Sequence, residues 1–472
     1  MEPKKICIMT YGCTANKNDS ETMATLLEGQ GHEVVKASEA DKADYIIVNT
    51  CGVKATTENK IIHRLSELSR SGKKVVVGGC LTKINRERIE KAIPNYAAIL
   101  DTNSVGKISD IVNKTEIETG IEQFSETPGE FVIPSFSFNE CTRTISISQG
   151  CLSNCTFCGT KLSRGNLKSY RPDAIRDAVK RSVSQGFKEI QLTSQDVSAY
   201  GRDIDTNIAE LLSSLVQLQG EFFIRVGMMN PLHFKKFEID DLLEAYDNEK
   251  AFKFLHIPVQ SGSNRILKDM KRGHTAEDFL DIASRFRNRF KDLQLWTDII
   301  VAYPGETDSD FEDSLKLVRQ AKPDFVHISR FSVRNGTEAA KLKKVDSEIA
   351  KERSRIINEE CKKAAEKRNK YWIGWYGKVI ITEYDKNRHG DSRSDERNEV
   401  LSHGDSRSDE RNEVLSHGDS RSDERNEVSW TGRNHAYKAV IIKDAVEIGD
   451  VVEAEITGLT ETGTLVGKVR KV

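Results

Sequence analysis

No stretch of this chain approaches the roughly 18 consecutive apolar residues that a membrane-spanning helix needs. The opening MEPKKICIMTYG also lacks the charged, apolar and small-residue succession of a signal peptide. Together these absences lead to the expectation of a cytoplasmic protein. There is no excess of charge either: 71 Lys and Arg against 73 Asp and Glu leave a formal net charge of -2. Global attraction for nucleic acid is therefore excluded, and any RNA contact has to come from local basic patches. Cysteine is scarce, nine in 472 residues, odd in number and unevenly placed. That pattern disfavours a disulfide framework and favours reduced thiolates used as metal ligands. What is present, 37% hydrophobic residues in a chain of this length, suffices for roughly two to four domains, each with its own core.

Three regions and an insert emerge along the chain. From Lys4 to about Thr115, strand-like runs KICIMTY, DYIIVNT, KKVVVGG and AAIL alternate with helical patterns from Ser20, Thr56 and Asn85. This alternation predicts an α/β fold with an N-terminal parallel sheet over residues 1–116. Residues 117–139 lack periodicity and read as a linker. Six further strand candidates follow, RTISISQ, EIQLTS, FFIRVGM, FLHIPVQ, LWTDIIVAY and FVHISRF, most separated by helical patterns. They predict a partial (βα)6 barrel within residues 140–370, its site at the C-terminal ends of the strands. The run SEIAKERSRIINEECKKAAEKRNK reads as one long, largely solvated helix leading out of it. Residues 371–472 alternate GKVIITEY, YKAVIIK, VVEAEITG and TLVGKVRKV with glycine-containing turns, the pattern of a small antiparallel β-barrel. Within it a 14-residue unit, HGDSRSDERNEVLS, repeats from His389 and again from His403, with a third, shorter copy from His417 to Val428. These polar copies bury almost nothing, so 389–428 reads as a disordered surface insert.

Two groups of cysteines carry the chemistry. Cys151, Cys155 and Cys158 stand in QGCLSNCTFC, directly after the first barrel strand. Thiolates at this spacing wrap one face of a four-iron cluster and leave one iron open for a ligand. A zinc knuckle is the alternative, but no fourth Cys or His follows nearby. Cys13, Cys51 and Cys80 each lie just beyond a predicted parallel strand, at the sheet edge where ligands collect in open α/β folds. Three unrelated buried core cysteines would give the same pattern. Cys7, Cys141 and Cys361 read as structural or incidental. Phe157, the strand-end residues Thr193, Ser194, Gln195 and Asp196, and Arg225 and Gln260 at later strand ends are placed to contact a cofactor, or equally to pack the barrel. Lys161, Arg164, Lys168 and Arg171 form an acid-free basic run suited to phosphate, or a solvated loop.

Taken together, YGCTANKNDSE, VNTCGVKATTE, VGGC, ISQGCLSNCTFCGTKLSRG, QLTSQDVSAYG, HIPVQSGSNRILKDMKRGHT and TDIIVAYPGET resemble the methylthiotransferases of the radical S-adenosylmethionine (SAM) superfamily over nearly the whole chain apart from the insert. The resemblance implies two [4Fe-4S] clusters, an auxiliary one on Cys13, Cys51 and Cys80 and one on Cys151, Cys155 and Cys158 that binds S-adenosylmethionine. It implies a 5'-deoxyadenosyl radical that abstracts hydrogen, sulfur supplied from the second cluster, and a tRNA substrate. Carbon 2 of an adenine has no acidic proton and no leaving group, so acid/base catalysis alone has little purchase there. The C-terminal region is similar to the TRAM type of RNA-binding barrel, in which Arg433, His435, Tyr437, Lys438 and Lys443 mix cations with an aromatic ring suited to RNA. Two departures stand out: the acidic repeat sits in this RNA-facing region, and Asn335 stands where the family commonly has proline.

YGCTANKNDSE and NTCGVKATTENKII look most like the archaeal and eukaryotic enzymes for N6-threonylcarbamoyladenosine at tRNA position 37, which they convert to the 2-methylthio form. Arg164, Arg225 or Arg334 would then face the threonylcarbamoyl carboxylate. An enzyme for isopentenyladenosine, one for a ribosomal-protein aspartate, and a non-catalytic iron-sulfur RNA-binding module are the competing readings. A reductant protein and a sulfur source are implied partners; a membrane is not.

Overall fold

The computed structural model describes residues 2–53, 55–127, 129–234, 236–385 and 429–470. The repeat read at 389–428 lies outside the described residues.

The first region is a six-stranded parallel sheet in the order β2-β1-β3-β4-β5-β6. Its strands are β1 (Lys5–Thr10), β2 (Glu33–Val35), β3 (Tyr45–Thr50), β4 (Lys74–Gly79), β5 (Ala98–Leu100) and β6 (Ile121–Gln123). The central strand β3 is buried at every position, as expected of a parallel sheet with helices on both faces. Val48, Val77 and Ile99 pack into one layer, and Ile47, Val76 and Leu100 into the other.

Helix α1 (Thr14–Glu28) begins well before the expected Ser20. Its first turns bury Asn16, Asn18, Asp19, Ser20 and Glu21, held by hydrogen bonds in place of an apolar stripe, so hydrophobic periodicity has nothing to register there. After α2 (Ala55–Leu68), the helix expected from Asn85 is divided into α3 (Leu81–Ile84) and α4 (Arg86–Ala92), because Asn85 leaves the helical region at φ -151° and ψ 59°. Helix α5 (Ile108–Lys114) follows. Strand β6 lies inside the stretch read as a linker and completes the sheet beside β5.

All six expected barrel strands are present: β7 (Thr142–Ser146), β10 (Glu189–Thr193), β11 (Phe223–Val226), β12 (Phe254–His256), β13 (Gln294–Val301) and β14 (Phe325–Arg330). A two-residue pair, β8 (Ser148–Gln149) with β9 (Lys168–Ser169), brackets the loop of Cys151 and the helix α6 (Gly159–Arg164). The barrel strands form two parallel three-stranded sheets, linked through a bridge between Ile224 and Ala251. Ile190, Leu192, Leu255, Leu295, Ile299 and Val301 face outward into the largest core. The alternate positions Glu189, Gln191, Arg225, His256, Asp298 and His327 therefore line the inner face.

The helix Ser347–Lys370 buries only Arg353, Ile357 and Cys361. It delivers the chain to a closed barrel of β15 (Tyr376–Asp385), β16 (Ser429–Asn434), β17 (Ala439–Ile442), β18 (Val451–Leu459) and β19 (Leu465–Val469). The barrel is antiparallel except where β17 runs parallel to β19. Strand β16, SWTGRN, escaped the strand pattern because Gly432 interrupts the alternation; a Cβ there would lie 2.9 Å from the carbonyl oxygen of Ile380. No helix among the described residues is long and apolar enough to cross a membrane.

Candidate active site: two cysteine triplets

Cys13, Cys51 and Cys80 end the loops after β1, β3 and β4, three neighbouring strands of one sheet edge. Cys13 is exposed, whereas Cys51 and Cys80 are buried. Asn16, on the first turn of α1, organises the group. Its amide donates to the carbonyls of Tyr11 and Thr50, both at 2.9 Å, and its Oδ1 accepts from the thiols of Cys13 at 3.7 Å and Cys80 at 3.8 Å. Two sulfurs thus converge on one oxygen. Gly12, at φ +114°, lets the third approach, since a Cβ there would sit 2.8 Å from the Cβ of Cys51. Burial pushes the Cys51 thiol up to about 12, with Cys80 and Cys13 adding to the effect, and burial also raises Cys80. Thiols that ionise so reluctantly in a protein-only environment become thiolates when a cation is supplied. All nine cysteines are free.

Cys151, Cys155 and Cys158 are carried by the loop between β8 and α6. The Cys151 N–H donates to the Gly165 carbonyl at 3.2 Å, the Cys158 N–H to the Cys155 carbonyl at 3.1 Å, and the Ser153 N–H to the Cys151 sulfur at 3.4 Å. Thr156 pins the loop to the barrel, bonding the Met270 carbonyl through its N–H at 3.1 Å and the Tyr303 hydroxyl at 2.8 Å. Burial, and then the Asp196 carboxylate, push the Cys151 thiol up to about 11. Arg272 donates to the Cys155 sulfur at 3.3 Å, to the Pro258 carbonyl at 2.7 Å and to the Asn230 side chain at 3.2 Å. Asn230 in turn donates to Ser153 Oγ at 3.1 Å. Neither Arg272 nor Asn230 was singled out from sequence, although KDMKRGHT contains the first. Six free thiols in two groups, the first gathered on the accepting oxygen of Asn16 and the second braced by the Ser153 N–H and the Arg272 guanidinium, suit two iron-sulfur clusters.

Of the cofactor candidates, Phe157 lies within the loop of the second triplet and Gln195 bonds beside it, while the others lie on the barrel strands or beyond their ends. Phe157 packs against the buried group of Ile266, Met270, Tyr303 and Ala339. Thr193 and Ser194 are buried at the end of β10, and Gln195 accepts from the Gly150 N–H at 2.6 Å, bracing the backbone next to Cys151. Asp196 is committed internally, accepting from the N–H groups of Ser198 at 3.1 Å and Asn230 at 3.0 Å. Gln260 adopts φ +79° for a side chain other than glycine and bridges to β13, a strained position of the kind found at ligand sites. Arg225 lies deeper in the barrel, over the rings of Phe254 at 4.9 Å and Tyr437 at 5.1 Å. Beside it, His256 bonds Asp298 at 2.5 Å, and one ligand atom from each of His256, Asp298 and His327 falls within 4.8 Å of the others. Burial opposes ionisation of Asp298, but the two imidazoles and Arg272 outweigh it and hold its carboxyl below the usual range.

Several expected RNA contacts are placed elsewhere. Arg164 is 3% exposed and donates to Asp19 at 2.6 Å and Asn16 at 3.0 Å. Tyr437 is buried at the base of the radical barrel, its hydroxyl donating to Glu189 at 3.1 Å and accepting from Gln191 at 3.0 Å. Lys438 pairs with Asp324 at 2.8 Å and donates to Asn369 at 2.6 Å. These three dock one region on another, because the cations and aromatic ring that RNA would recognise are equally good at satisfying buried acids. Lys161 is tied to the Cys151 carbonyl and to Asn166. Arg433 is half-buried over the Tyr437 ring, 3.7 Å from Glu383. Lys168 and Arg171 are exposed, the latter beside Asp173 at 3.1 Å. Of the arginines offered for a substrate carboxylate, Arg334 is likewise occupied, by the Val53 carbonyl at 2.6 Å and Glu58 at 3.6 Å.

Residues 145–318 match the model of the radical SAM superfamily, and residues 5–101 match that of the uncharacterized protein family UPF0004. A protein of Archaeoglobus fulgidus described as a probable threonylcarbamoyladenosine tRNA methylthiotransferase is 41% identical over 84% of this chain and 93% of its own length. The chain belongs to the radical SAM methylthiotransferase family. A Pyrococcus abyssi relative of the same description is 43% identical over 80% of this chain and 88% of its own. The human threonylcarbamoyladenosine tRNA methylthiotransferase is 33% identical over 75% of this chain and 62% of its own. Among solved structures, the radical SAM methyltransferase TsrM from Kitasatospora setae, with cobalamin and a [4Fe-4S] cluster bound, shares the fold with a TM-score of 0.53 and 12% identity, covering 72% of this chain and 74% of TsrM. The cobalamin-dependent enzyme OxsB aligns with a TM-score of 0.50 and 15% identity over 78% and 56% of the two chains. The family uses S-adenosylmethionine, and its methylthiotransferases carry two [4Fe-4S] clusters.

Proposed function

We propose that the protein converts N6-threonylcarbamoyladenosine at position 37 of a tRNA anticodon loop to its 2-methylthio derivative. The observation that carries the reading is the meeting of the two triplets. Arg164, six residues beyond Cys158, reaches the same Asn16 oxygen that accepts from Cys13 and Cys80, so the helix following the second triplet packs on the loop of the first. In this reading both sets of thiols serve one space. When bound there, the clusters and S-adenosylmethionine supply a 5'-deoxyadenosyl radical and the sulfur for transfer to the base carbon.

In this reading Cys151, Cys155 and Cys158 hold one cluster and leave an iron open, while Arg272 and Gln195 fix the loop. Cys13, Cys51 and Cys80 hold the second. Phe157, Thr193, Ser194, Gln195 and Gln260 border the cofactor, with Asp196 bracing them from behind. Arg225 is the arginine left for the threonylcarbamoyl carboxylate: among the described residues it makes no hydrogen bond or ion pair, and its Nε is buried without a partner. A carboxylate there would gain charge-assisted bonds, whereas an isoprenoid tail would leave the cation unpaired. Lys168 and Arg171 contact the phosphate backbone. A reductant protein and a sulfur source complete the system in the cytoplasm, where tRNA is found.

The test incubates reconstituted enzyme with tRNA carrying either the threonylcarbamoyl or the isopentenyl modification, followed by mass spectrometry of the nucleosides. Methylthio product from the threonylcarbamoyl tRNA alone is expected. Product only from the isopentenyl tRNA overturns the substrate and leaves the chemistry standing.

A further inference from the structure

We infer that Arg164 and Arg334, both supplied by the radical SAM region, are positioning residues for the auxiliary cluster, clamping its loops across the domain boundary and raising its reduction potential. The inference rests on the assignment of Cys13, Cys51 and Cys80 to that cluster.

The two guanidinium groups divide the three loops between them. Arg164 closes α6 and enters the first domain at the start of α1, bonding Asp19 at 2.6 Å and, at 3.0 Å, the Asn16 oxygen that also accepts from the Cys13 and Cys80 thiols. Arg334 follows β14 and reaches the third loop, where its Nε and Nη2 both donate to the carbonyl of Val53, two residues beyond Cys51, at 3.1 and 2.6 Å. Its Nη1 lies 3.6 Å from Glu58. The side chains of Arg164 and Arg334 are 3% and 7% exposed. Smaller contacts follow the same seam: Thr102 Oγ1 donates to the Ser163 carbonyl at 2.8 Å, and the Ser146 N–H to Asn18 Oδ1 at 3.2 Å.

Arginine is a costly choice for mere adhesion. A buried cation must be desolvated, and an apolar pair would dock the two regions at least as well. What a buried arginine adds, even when paired with Asp19 or Glu58, is hydrogen-bond donors and a positive group held against the cluster loops. A cluster held by thiolates is anionic and gains one more negative charge on reduction, so nearby cations favour the reduced form. Because the cations come from the other region, the auxiliary cluster reaches its working potential only when the two regions are docked.

The experiment takes the reconstituted holoenzyme and its Arg164→Met, Arg164→Lys and Arg334→Met variants, measuring iron per chain and following both clusters by EPR during a redox titration. The Cys151, Cys155 and Cys158 triple alanine variant serves to isolate the auxiliary signal. Each methionine variant is expected to shift the auxiliary cluster to lower potential, with about a tenfold fall in its reduced-to-oxidised ratio at fixed potential, or about 59 mV for a one-electron couple. The other cluster should stay unchanged, and Arg164→Lys should recover part of the shift. If Arg164→Met loses the auxiliary iron, retention of that cluster near the wild-type potential in Arg164→Lys supports the same requirement for charge. Two complete clusters with an unshifted auxiliary potential in both methionine variants overturn the inference. A wild-type enzyme with only four irons fails one step earlier, at the assignment of the triplet.

Discussion

The hydroxyl of Tyr437, a residue of the C-terminal barrel, donates to Glu189 of the radical barrel at 3.1 Å. Around that bond the Tyr437 ring meets Phe252 at 5.0 Å and Phe254 at 5.1 Å, so the small barrel closes the base of the larger one with an aromatic plug. Tyr437→Ala should lower unfolding stability by about 3 kcal/mol or more, the cost of emptying a buried aromatic site. Tyr437→Phe should lose only about 1 kcal/mol with the hydrogen bonds. Denaturant unfolding of the two variants gives the comparison, and equal losses would contradict the plug.

The triplets predict separable chemistry. Changing Cys151, Cys155 and Cys158 to Ala should remove about half of roughly eight irons and abolish cleavage of S-adenosylmethionine. The same change at Cys13, Cys51 and Cys80 should leave cleavage and stop methylthio product. Iron analysis, 5'-deoxyadenosine and product are measured on each sample, and full thiolation by the second variant would refute the sulfur-donating assignment.

Arg272 bonds three acceptors from one planar fork, including Cys155 at 3.3 Å, a geometry that lysine cannot reproduce. Arg272→Lys is expected to weaken cluster retention at the Cys151 site about 10- to 100-fold, in the manner of outer-shell metal partners. Chelator challenge followed by EPR reports it. Iron lost equally from both clusters would indicate general unfolding instead.

Glu21 supplies a pH dependence. Its carboxyl is buried against the linker, accepting from Ser137 at 3.0 Å and the Phe138 N–H at 3.2 Å, and burial pushes it from 4.5 up to about 7 despite the nearby Arg143. The folded form therefore keeps its proton where the unfolded chain has lost it. Its contribution is complete below about pH 4.5 and is lost as pH rises through about 7. Glu21→Gln should flatten the fall in stability across that window, read from unfolding at several pH values; an unchanged profile would assign the titration to other groups.

Lys168 is exposed immediately beyond the cluster loop. If it meets a tRNA phosphate, Lys168→Ala should weaken binding similarly across tRNAs and reduce the slope of log affinity against log salt by about one. Filter binding at several salt concentrations measures this, and an unchanged slope would move the RNA path elsewhere.

Much of the architecture was legible in the order of residues. Parallel strands bury both faces and write continuous apolar runs such as DYIIVNT, so four of the six strands of the first sheet and all six barrel strands were readable, whereas the three-residue β2 and β6 write no such run, and the cysteines at the strand ends marked where ligands gather. The start of α1 and strand β16 were not, because Asn16, Asp19 and Glu21 are buried by hydrogen bonding and Gly432 by close backbone approach, neither of which leaves a hydrophobic period.

Sequence by itself determined which side chains could ligate iron, since spacing and strand position are local properties. Tertiary structure alone decided what the cations do. Arg164, Lys161, Tyr437 and Lys438 read as an RNA-facing set, yet three of them are buried in contacts between regions and Lys161 is tied to the cluster loop. The physical reason is that a guanidinium, an ammonium or a phenol binds a phosphate and a buried carboxylate by the same donors, and only the folded chain determines which acceptor lies within about 3 Å.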